Sequence, residues 1–311
     1  MKLLRKINAA LGSATGFQVR RAGPRIVARP AVTQRPPGTR GAIEPRPPAD
    51  PTVDRLLRRP VFVIAPVRSG STLLRLTLNA HSRLHAPHEL HFRRLEVAHA
   101  TRLADRSLSL LGLDRTELEH LLWDRVLHRE LVRSGKQTLV EKTPGNAFVF
   151  RRIAACWPDA RFLFLLRHPA AVARSWHEAD PVKRNPEHAA HDALRYLNAV
   201  ERARRALPGH TVRYEELTAE PETALRAVCD FLEVDFEPGM VEYGRAPGGT
   251  AGLEKGLGDW REKVRSGRVQ PGRELPPPEA VPAVLREICE TWGYAEAEPA
   301  AGRLVPSGRS S

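Results

Sequence analysis

The 311-residue chain predicts an α/β domain: a parallel sheet flanked by helices on both faces, with a helical insertion. Three observations carry this prediction. Short runs are apolar throughout, without polar alternation, as in strands buried on both faces. Each run leads into a loop and then a helical stretch, the rhythm of βαβ units. Finally, Arg, Lys, Ser, Thr and Gly cluster immediately after the runs, at the carboxyl ends of the strands, where ligands bind in such sheets.

The first run is Val61-Phe62-Val63-Ile64, followed by the loop Arg68-Ser69-Gly70-Ser71-Thr72 and a helix through Leu78. Thr101 to Ser134 is long, helical in pattern and Leu-rich, and is read as the insertion. Thr138-Leu139-Val140 is the second strand, ending in Glu141-Lys142-Thr143-Pro144-Gly145-Asn146 with a helix beyond. Arg161 to Leu166 is the third, running straight into Arg167-His168-Pro169 and a helix through Trp176. Thr211 to Tyr214 is the fourth, before a helix from Pro221 to Leu232 that Thr218 is placed to cap. Asp180 to His191, with four charged residues and two prolines, reads as a mobile loop over the acceptor. There is no internal repeat.

Composition excludes several classes. At 41% hydrophobic and 27% charged, the chain is ordinary globular material. Cys156, Cys229 and Cys289 have no CxxC pairing or metal-ligand spacing, which argues against a disulfide framework or a zinc module. Cys156 and Cys229 read as core thiols. No run approaches the roughly 18 to 20 apolar residues of a spanning helix. The net charge of +13 invites a nucleic-acid or anionic-membrane partner. However, residues 1–60 hold 13 Lys and Arg against 3 Asp and Glu, leaving 36 against 33 for the rest. The basicity is mostly a property of the tail.

That tail reads in two parts. Met1 to Phe17 is an amphipathic pattern with Leu3, Leu4, Ile7 and Leu11 opposite Lys2, Arg5 and Lys6. It is either a helix on an anionic membrane surface or, given Gly12 and Gly16, a frayed end. From Arg20 to Arg59 the Pro/Arg/Gly-rich stretch reads as a linker. The expected organisation is a basic tail over 1–59, a folded domain over 60–296 and a loose tail over 297–311, in a cytoplasmic protein with peripheral contact through residues 1–17. A nucleic-acid-binding protein acting through its tail is one alternative, and no nucleic-acid partner is expected if the balanced domain is the functional part.

Gly70 followed by Ser71 and Thr72 at a helix start is, physically, a phosphate-binding arrangement. Uncapped amides and the positive helix end face an anion, Gly lets the backbone approach, and Arg68 adds a full charge. The plainer alternative is an N-capped helix with an exposed Arg. A Walker loop, GxxxxGK[ST], is absent, and no acidic residue is obviously placed for Mg²⁺. A nucleotide kinase is therefore the weaker reading against an enzyme that handles a phosphate or sulfate donor without a metal.

Ala65 to Leu74 (APVRSGSTLL) resembles the 5′-phosphosulfate loop of sulfotransferases that use 3′-phosphoadenosine 5′-phosphosulfate (PAPS), where the pattern is PRSGTTLL. Val67, inserted between Pro and Arg, is a departure. Arg167 followed eight residues later by Ser175 resembles the 3′-phosphate site of that family. Glu141-Lys142-Thr143-Pro144 and Arg213-Tyr214-Glu215-Glu216-Leu217 resemble two further landmarks in the expected order. Lys255-Gly256-Leu257-Gly258-Asp259-Trp260 resembles a shortened RKGxxGDWK loop. The likeness runs from about Pro60 to Tyr294 and is closest to bacterial and Golgi-type members.

The resemblance implies a P-loop-like fold, PAPS as sulfuryl donor, no metal, and in-line transfer to a hydroxyl or amine. It places the general base in Ala86-Pro87-His88-Glu89-Leu90-His91-Phe92. Glu89 is the first candidate there, with His88, His91 or a plain surface segment as alternatives. Arg68 and Lys142 would neutralise the sulfuryl group and 5′-phosphate. Ser69, Gly70, Ser71 and Thr72 would line the 5′ side, and Arg167 and Ser175 would hold the 3′-phosphate. Lys255 and Gly256 would close over it. Tyr214 either touches the adenine or is a core tyrosine. His168 is assigned to the turn with Pro169, Trp260 to packing, and Arg202-Ala203-Arg204-Arg205 to a solvated helix face. The acceptor stays open among a glycan, a lipid, a metabolite and a protein side chain.

Overall fold

The computed structural model describes residues 50, 52–246 and 262–294. Outside that range lie the amphipathic pattern of residues 1–17, most of the 20–59 stretch, Lys255, Gly256, Trp260 and the 297–311 tail.

Five parallel strands form the sheet in the order β2-β3-β1-β4-β5. They are β1 (Val61–Ile64), β2 (Leu84–His85), β3 (Thr138–Glu141), β4 (Arg161–Leu166) and β5 (His210–Arg213). Four of these match the predicted runs. The two-residue edge strand β2 carries too little pattern to be seen in sequence, and it exists through pairing: Leu84 registers with Thr138 and His85 with Leu139. Lys136 fastens this edge by donating to the carbonyl oxygens of Asn79, His81 and Leu84 at 2.6, 3.0 and 2.9 Å.

The two-residue period of each strand divides the core between the faces. Phe62, Ile64, Phe162, Phe164 and Leu166 face one way. There they meet Trp123 and Leu127 of α3 (Arg115–Ser134), Ile153 of α4 (Phe150–Cys156), Val172 of α5 (Pro169–Ala179) and Leu197 of α6 (Pro186–Ala206). Val61, Val63, Leu163, Leu165 and Val212 face the other way, against Leu74 and Leu78 of α1 (Ser71–Ala80) and Leu225 and Val228 of α8 (Pro221–Leu232). The central strands β1 and β4 are thus apolar at nearly every position because both faces are covered, whereas the edge strand β5 buries only Val212. Cys156, Cys229 and Cys289 are all buried, and burial pushes the Cys229 and Cys289 thiols up to about 11.

The insertion is two helices, α2 (Arg102–Leu110) and α3. Gly112 lies between them with φ +75°, and an Asp114–Glu117 capping box starts α3. Three sequence expectations change. Thr218 lies in a separate short helix, α7 (Tyr214–Ala219), and its hydroxyl donates to the Glu215 carbonyl at 3.1 Å, so it does not cap α8. The loop expected over 180–191 is confined to 180–185, because Asn185 caps α6 through the His188 amide and Pro186 opens the helix.

The third change concerns the end of the linker, which lies against the domain. Leu57 is fully buried, and the buried Asp124 carboxylate accepts from the Leu56 and Leu57 amides at 2.7 and 3.1 Å and from Trp157 Nε1 at 2.9 Å. Arg55 pairs with Asp159 at 2.5 Å. Proline and arginine content concealed this arm, because its anchors are a single leucine and two distant aspartates.

Candidate active site

Every strand delivers one part of the site at its carboxyl end. β1 ends in the loop to α1, where Arg68 has φ +68° and Gly70 has φ +92°. Gly is required at 70 twice over: the left-handed backbone disfavours a side chain, and a Cβ would strike the Tyr214 ring. Helix α1 begins at Ser71 without a side-chain cap at Gly70, which removes the plainer N-capped-helix reading. Its first amides and positive dipole end therefore face the cavity with Ser71 and Thr72.

The loop is braced by the strands beside it. Arg167, at the end of β4, donates through Nη1 to the Arg68 carbonyl at 2.9 Å. Arg68 donates through Nε to Ser175 Oγ of α5 at 3.4 Å. The predicted 5′ and 3′ groups are thereby one connected cluster. Tyr214, just past β5, places its ring beneath the Arg167 guanidinium, 4.3 Å from centroid to Cζ, and beside Gly70. It is half-buried and lines the cavity, so it forms a wall of the loop. Ser69 differs from expectation. It is fully buried and donates to the Pro66 carbonyl at 2.8 Å, so it shapes the loop from inside and does not line the cavity.

Across the cavity, Glu89 follows β2. Its carboxylate accepts from Lys142 Nζ at 2.6 Å, and His91 Nε2 lies 3.3 Å from its other oxygen. Glu89 lines the cavity, whereas Lys142, at the end of β3, is buried beneath it. Lys142, expected with Arg68 to neutralise the sulfuryl group and 5′-phosphate, is buried and paired with Glu89 in this structure. Burial also drives the Lys142 pKa down, opposed by the Glu89 charge. His88 is exposed and does not line the cavity, while His91 does. His168 is buried, packs against Tyr294, and does not line it either.

Sequence reasoning missed the residues that hold Glu89 in place. Asn79 Oδ1 accepts from the Ala86 amide at 2.9 Å, and Arg75 donates to the Ala86 carbonyl at 3.1 Å. Glu141, fully buried beside Lys142, accepts from the Leu90 amide at 3.4 Å, from Thr143 Oγ1 at 2.5 Å and from Asn146 Nδ2. Burial pushes the Glu141 carboxyl up to about 7 against these donors. The only sequence signal was the Glu141-Lys142-Thr143-Pro144 landmark itself. What it lacked was any indication that its target lay some fifty residues upstream.

These groups enclose a cavity of about 500 Å³. It is lined by the Arg68, Gly70, Ser71, Thr72, Arg167, Ser175 and Tyr214 group and also by Glu89, His91, Arg93, Gly145, Trp176 and Tyr196. Among the described residues no group of three or more His, Cys, Asp and Glu is arranged to hold a metal ion, and no helix is long and apolar enough to cross a membrane.

A parallel α/β sheet with a glycine-opened loop leading into a helix from its central strand is a fold of the P-loop-like type. The family model described as "Sulfotransferase family" matches residues 60–238, more than half of the chain, and the chain belongs to that family. A nodulation protein, NoeE, from Sinorhizobium fredii (strain NBRC 101917 / NGR234) is 31% identical over 125 residues, 37% of this chain and 30% of that protein. An uncharacterized protein from Aquifex aeolicus (strain VF5) is 25% identical over 210 residues, 60% of this chain and 27% of that protein. The chain thus spans less than a third of the length of these two relatives. Two solved structures share the fold. The sulfotransferase domain from the curacin biosynthetic pathway has a TM-score of 0.57 at 23% identity, covering 78% of this chain and 99% of that one. The sulfotransferase domain from the Synechococcus PCC 7002 olefin synthase has a TM-score of 0.55 at 20% identity, covering 78% and 97%.

Proposed function

We propose that the protein transfers the sulfuryl group of PAPS, in line and without a metal, to a hydroxyl or amine of an acceptor, with Glu89 as general base. The observation that carries this reading is a single cavity with an anion cradle along one part and a lysine-held carboxylate along another. Family membership and the motif resemblance support the choice of donor.

The residues fit such a donor. Gly70 lets backbone come close, and the Cβ-free loop opens on the first amides of α1. Arg68, Ser71 and Thr72 would hold the 5′ end, and Arg167 with Ser175 the 3′-phosphate, the group that separates PAPS from ATP. When bound, the donor supplies a transferable SO₃ on a stable phosphate leaving group. Glu89 takes the acceptor proton at its carboxylate, and Lys142 fixes the orientation of that carboxylate from below. The Arg68 guanidinium would stabilise the charge that gathers at the leaving oxygen of the 5′ end. Lys255 and Gly256 are assigned over the 3′-phosphate by resemblance alone. Cytoplasmic placement, with residues 1–17 against an anionic membrane surface, belongs to the same proposal.

Adenosine 3′,5′-bisphosphate is expected to raise the melting temperature well above the shift given by ADP, and equal shifts would remove the PAPS reading. Transfer of sulfur-35 from labelled PAPS into a fractionated extract of the source cells then identifies the acceptor class.

A further inference from the structure

Arg93 has no role in the chemistry described so far, yet it lines the cavity four residues after Glu89. It occupies the 3₁₀ turn Phe92–Arg94, which follows the left-handed His91 at φ +49°. Its guanidinium lies across Gly145: a Cβ there would stand 2.5 Å from Nη2 and 2.6 Å from Nε. Nε is buried and donates no hydrogen bond among the described residues. Nor does any carboxylate pair with this guanidinium among them. Two other arginines of the cavity do have such partners: Arg184 pairs with Asp192 at 3.1 Å, and Arg273 with Glu178 at 2.8 Å.

A desolvated guanidinium without an acidic partner costs free energy unless a ligand completes it. Burial lowers the Arg93 pKa, and the charge beside it is that of Arg94, of the same sign. The neighbouring wall is aromatic. Tyr196 and Trp176 line the cavity with ring centroids 5.5 Å apart, and Phe148 stands edge-on to Tyr196 at 4.7 Å. This wall suits a flat ring, sugar or aromatic, carrying the hydroxyl that Glu89 addresses.

We propose that Arg93 selects acceptors bearing an anionic group, a carboxylate or a phosphate, on the same small unit as the reacting hydroxyl. The proposal rests on the sulfotransferase reading for the position of the hydroxyl. It adds a specificity determinant that Gly145 positions by leaving its Cα bare.

The test is binding of three probes, 4-hydroxyphenylacetate, its methyl ester and 4-hydroxybenzylphosphonate, to protein saturated with adenosine 3′,5′-bisphosphate. Saturation keeps the probes off Arg68 and Arg167. Wild-type protein is expected to bind the acid about tenfold or more tightly than the ester, the size of a charge-assisted hydrogen bond. The phosphonate arm shows which anion is preferred. Arg93→Gln is expected to bind acid and ester alike while keeping its response to the nucleotide, and Arg93→Lys to keep part of the preference. Gly145→Ala, which displaces only the flexible end of Arg93, should weaken discrimination in a folded protein. Equal binding of acid and ester by the wild type, or undiminished discrimination in Arg93→Gln, overturns the proposal. Failure of the nucleotide to bind wild-type protein would instead sink the donor reading; the same comparison of acid and ester across Arg93 variants, run without nucleotide, still decides the role of Arg93.

Discussion

The two parts of the cavity are built by opposite means. The cradle of β1, β4 and β5 rests on backbone geometry and two short motifs: Gly70 with the first turn of α1, and Arg167, whose guanidinium joins the two by reaching the Arg68 carbonyl 99 residues away. The Glu89 side rests on buried ionisable side chains brought to one short segment. Lys142 meets Glu89 from 53 residues away, and Glu141 meets the Leu90 amide from 51. One part is a motif with a fixed internal geometry, and the other is a set of side chains held by buried charge. The difference teaches where each is fragile. The cradle should fail when backbone space is lost, and the Glu89 side when a buried ionic partner is removed.

The largest expected effect breaks the second part alone. Glu89→Gln should lower turnover by about 10² to 10⁴, the usual weight of a general base, while adenosine 3′,5′-bisphosphate still shifts the melting temperature. A fully active variant, measured by initial rates of sulfur-35 transfer, would remove Glu89 as base. Lys142→Met strips the lysine from the largely buried Glu89, and a loss of about 3 to 5 kcal/mol in urea unfolding is expected. The paired change with Glu89→Gln should recover part of it. No recovery would show that the two residues are not coupled.

Gly70→Ala breaks the first part. The left-handed backbone and the Tyr214 ring together predict about 1 to 3 kcal/mol of strain, with nucleotide affinity reduced in titration calorimetry. Adding Tyr214→Ala should return stability only in part, because φ +92° remains. A variant that binds nucleotide normally would mean that the amides at 70–72 do not form the cradle.

The N-terminal arm belongs to neither part and serves as a control. Removing residues 1–59 discards Leu57 and leaves Asp124 without its two amide donors, so the melting temperature should fall below that of a chain lacking only 1–49. Burial of Leu57 alone is worth about 1.5 to 3 kcal/mol. Equal melting temperatures for the two truncations would contradict the anchoring role of Asp124.

The smallest effect is a pH slope. The native carboxyl of Glu141 is pushed up to about 7, above its unfolded value, so the native state binds the extra proton. Its contribution is therefore present at acid pH and is lost as pH rises through about 7. Melting temperature should decline by a few degrees between pH 5 and 8, and Glu141→Gln should flatten that decline. An unchanged slope in the variant would place the proton elsewhere.

Legibility followed the same division. APVRSGSTLL and the Arg167 to Ser175 spacing announced the cradle because their groups are neighbours in sequence or at fixed helical offset. Tyr214 was visible as a strand-end residue, but its contact with Gly70 was not. Glu89 was placed by resemblance, whereas Asn79, Arg75 and Glu141, which hold its segment, are ordinary polar residues within helix and strand. Ser69 looked like a ligand residue because it stands in the motif, and the fold turned its hydroxyl inward.

By itself the sequence determined the α/β class, four of the five strands, the glycine loop after β1 and the location of most of the positive charge. Apolar runs and glycine conformations are local properties, readable without a fold. Tertiary structure alone decided the edge strand β2, the docking of Leu57, the pairing of Lys142 with Glu89 and the placement of Arg93 over Gly145. Each of these depends on low-dielectric burial bringing together groups far apart in the chain, and that energy exists only once the sheet has closed around them.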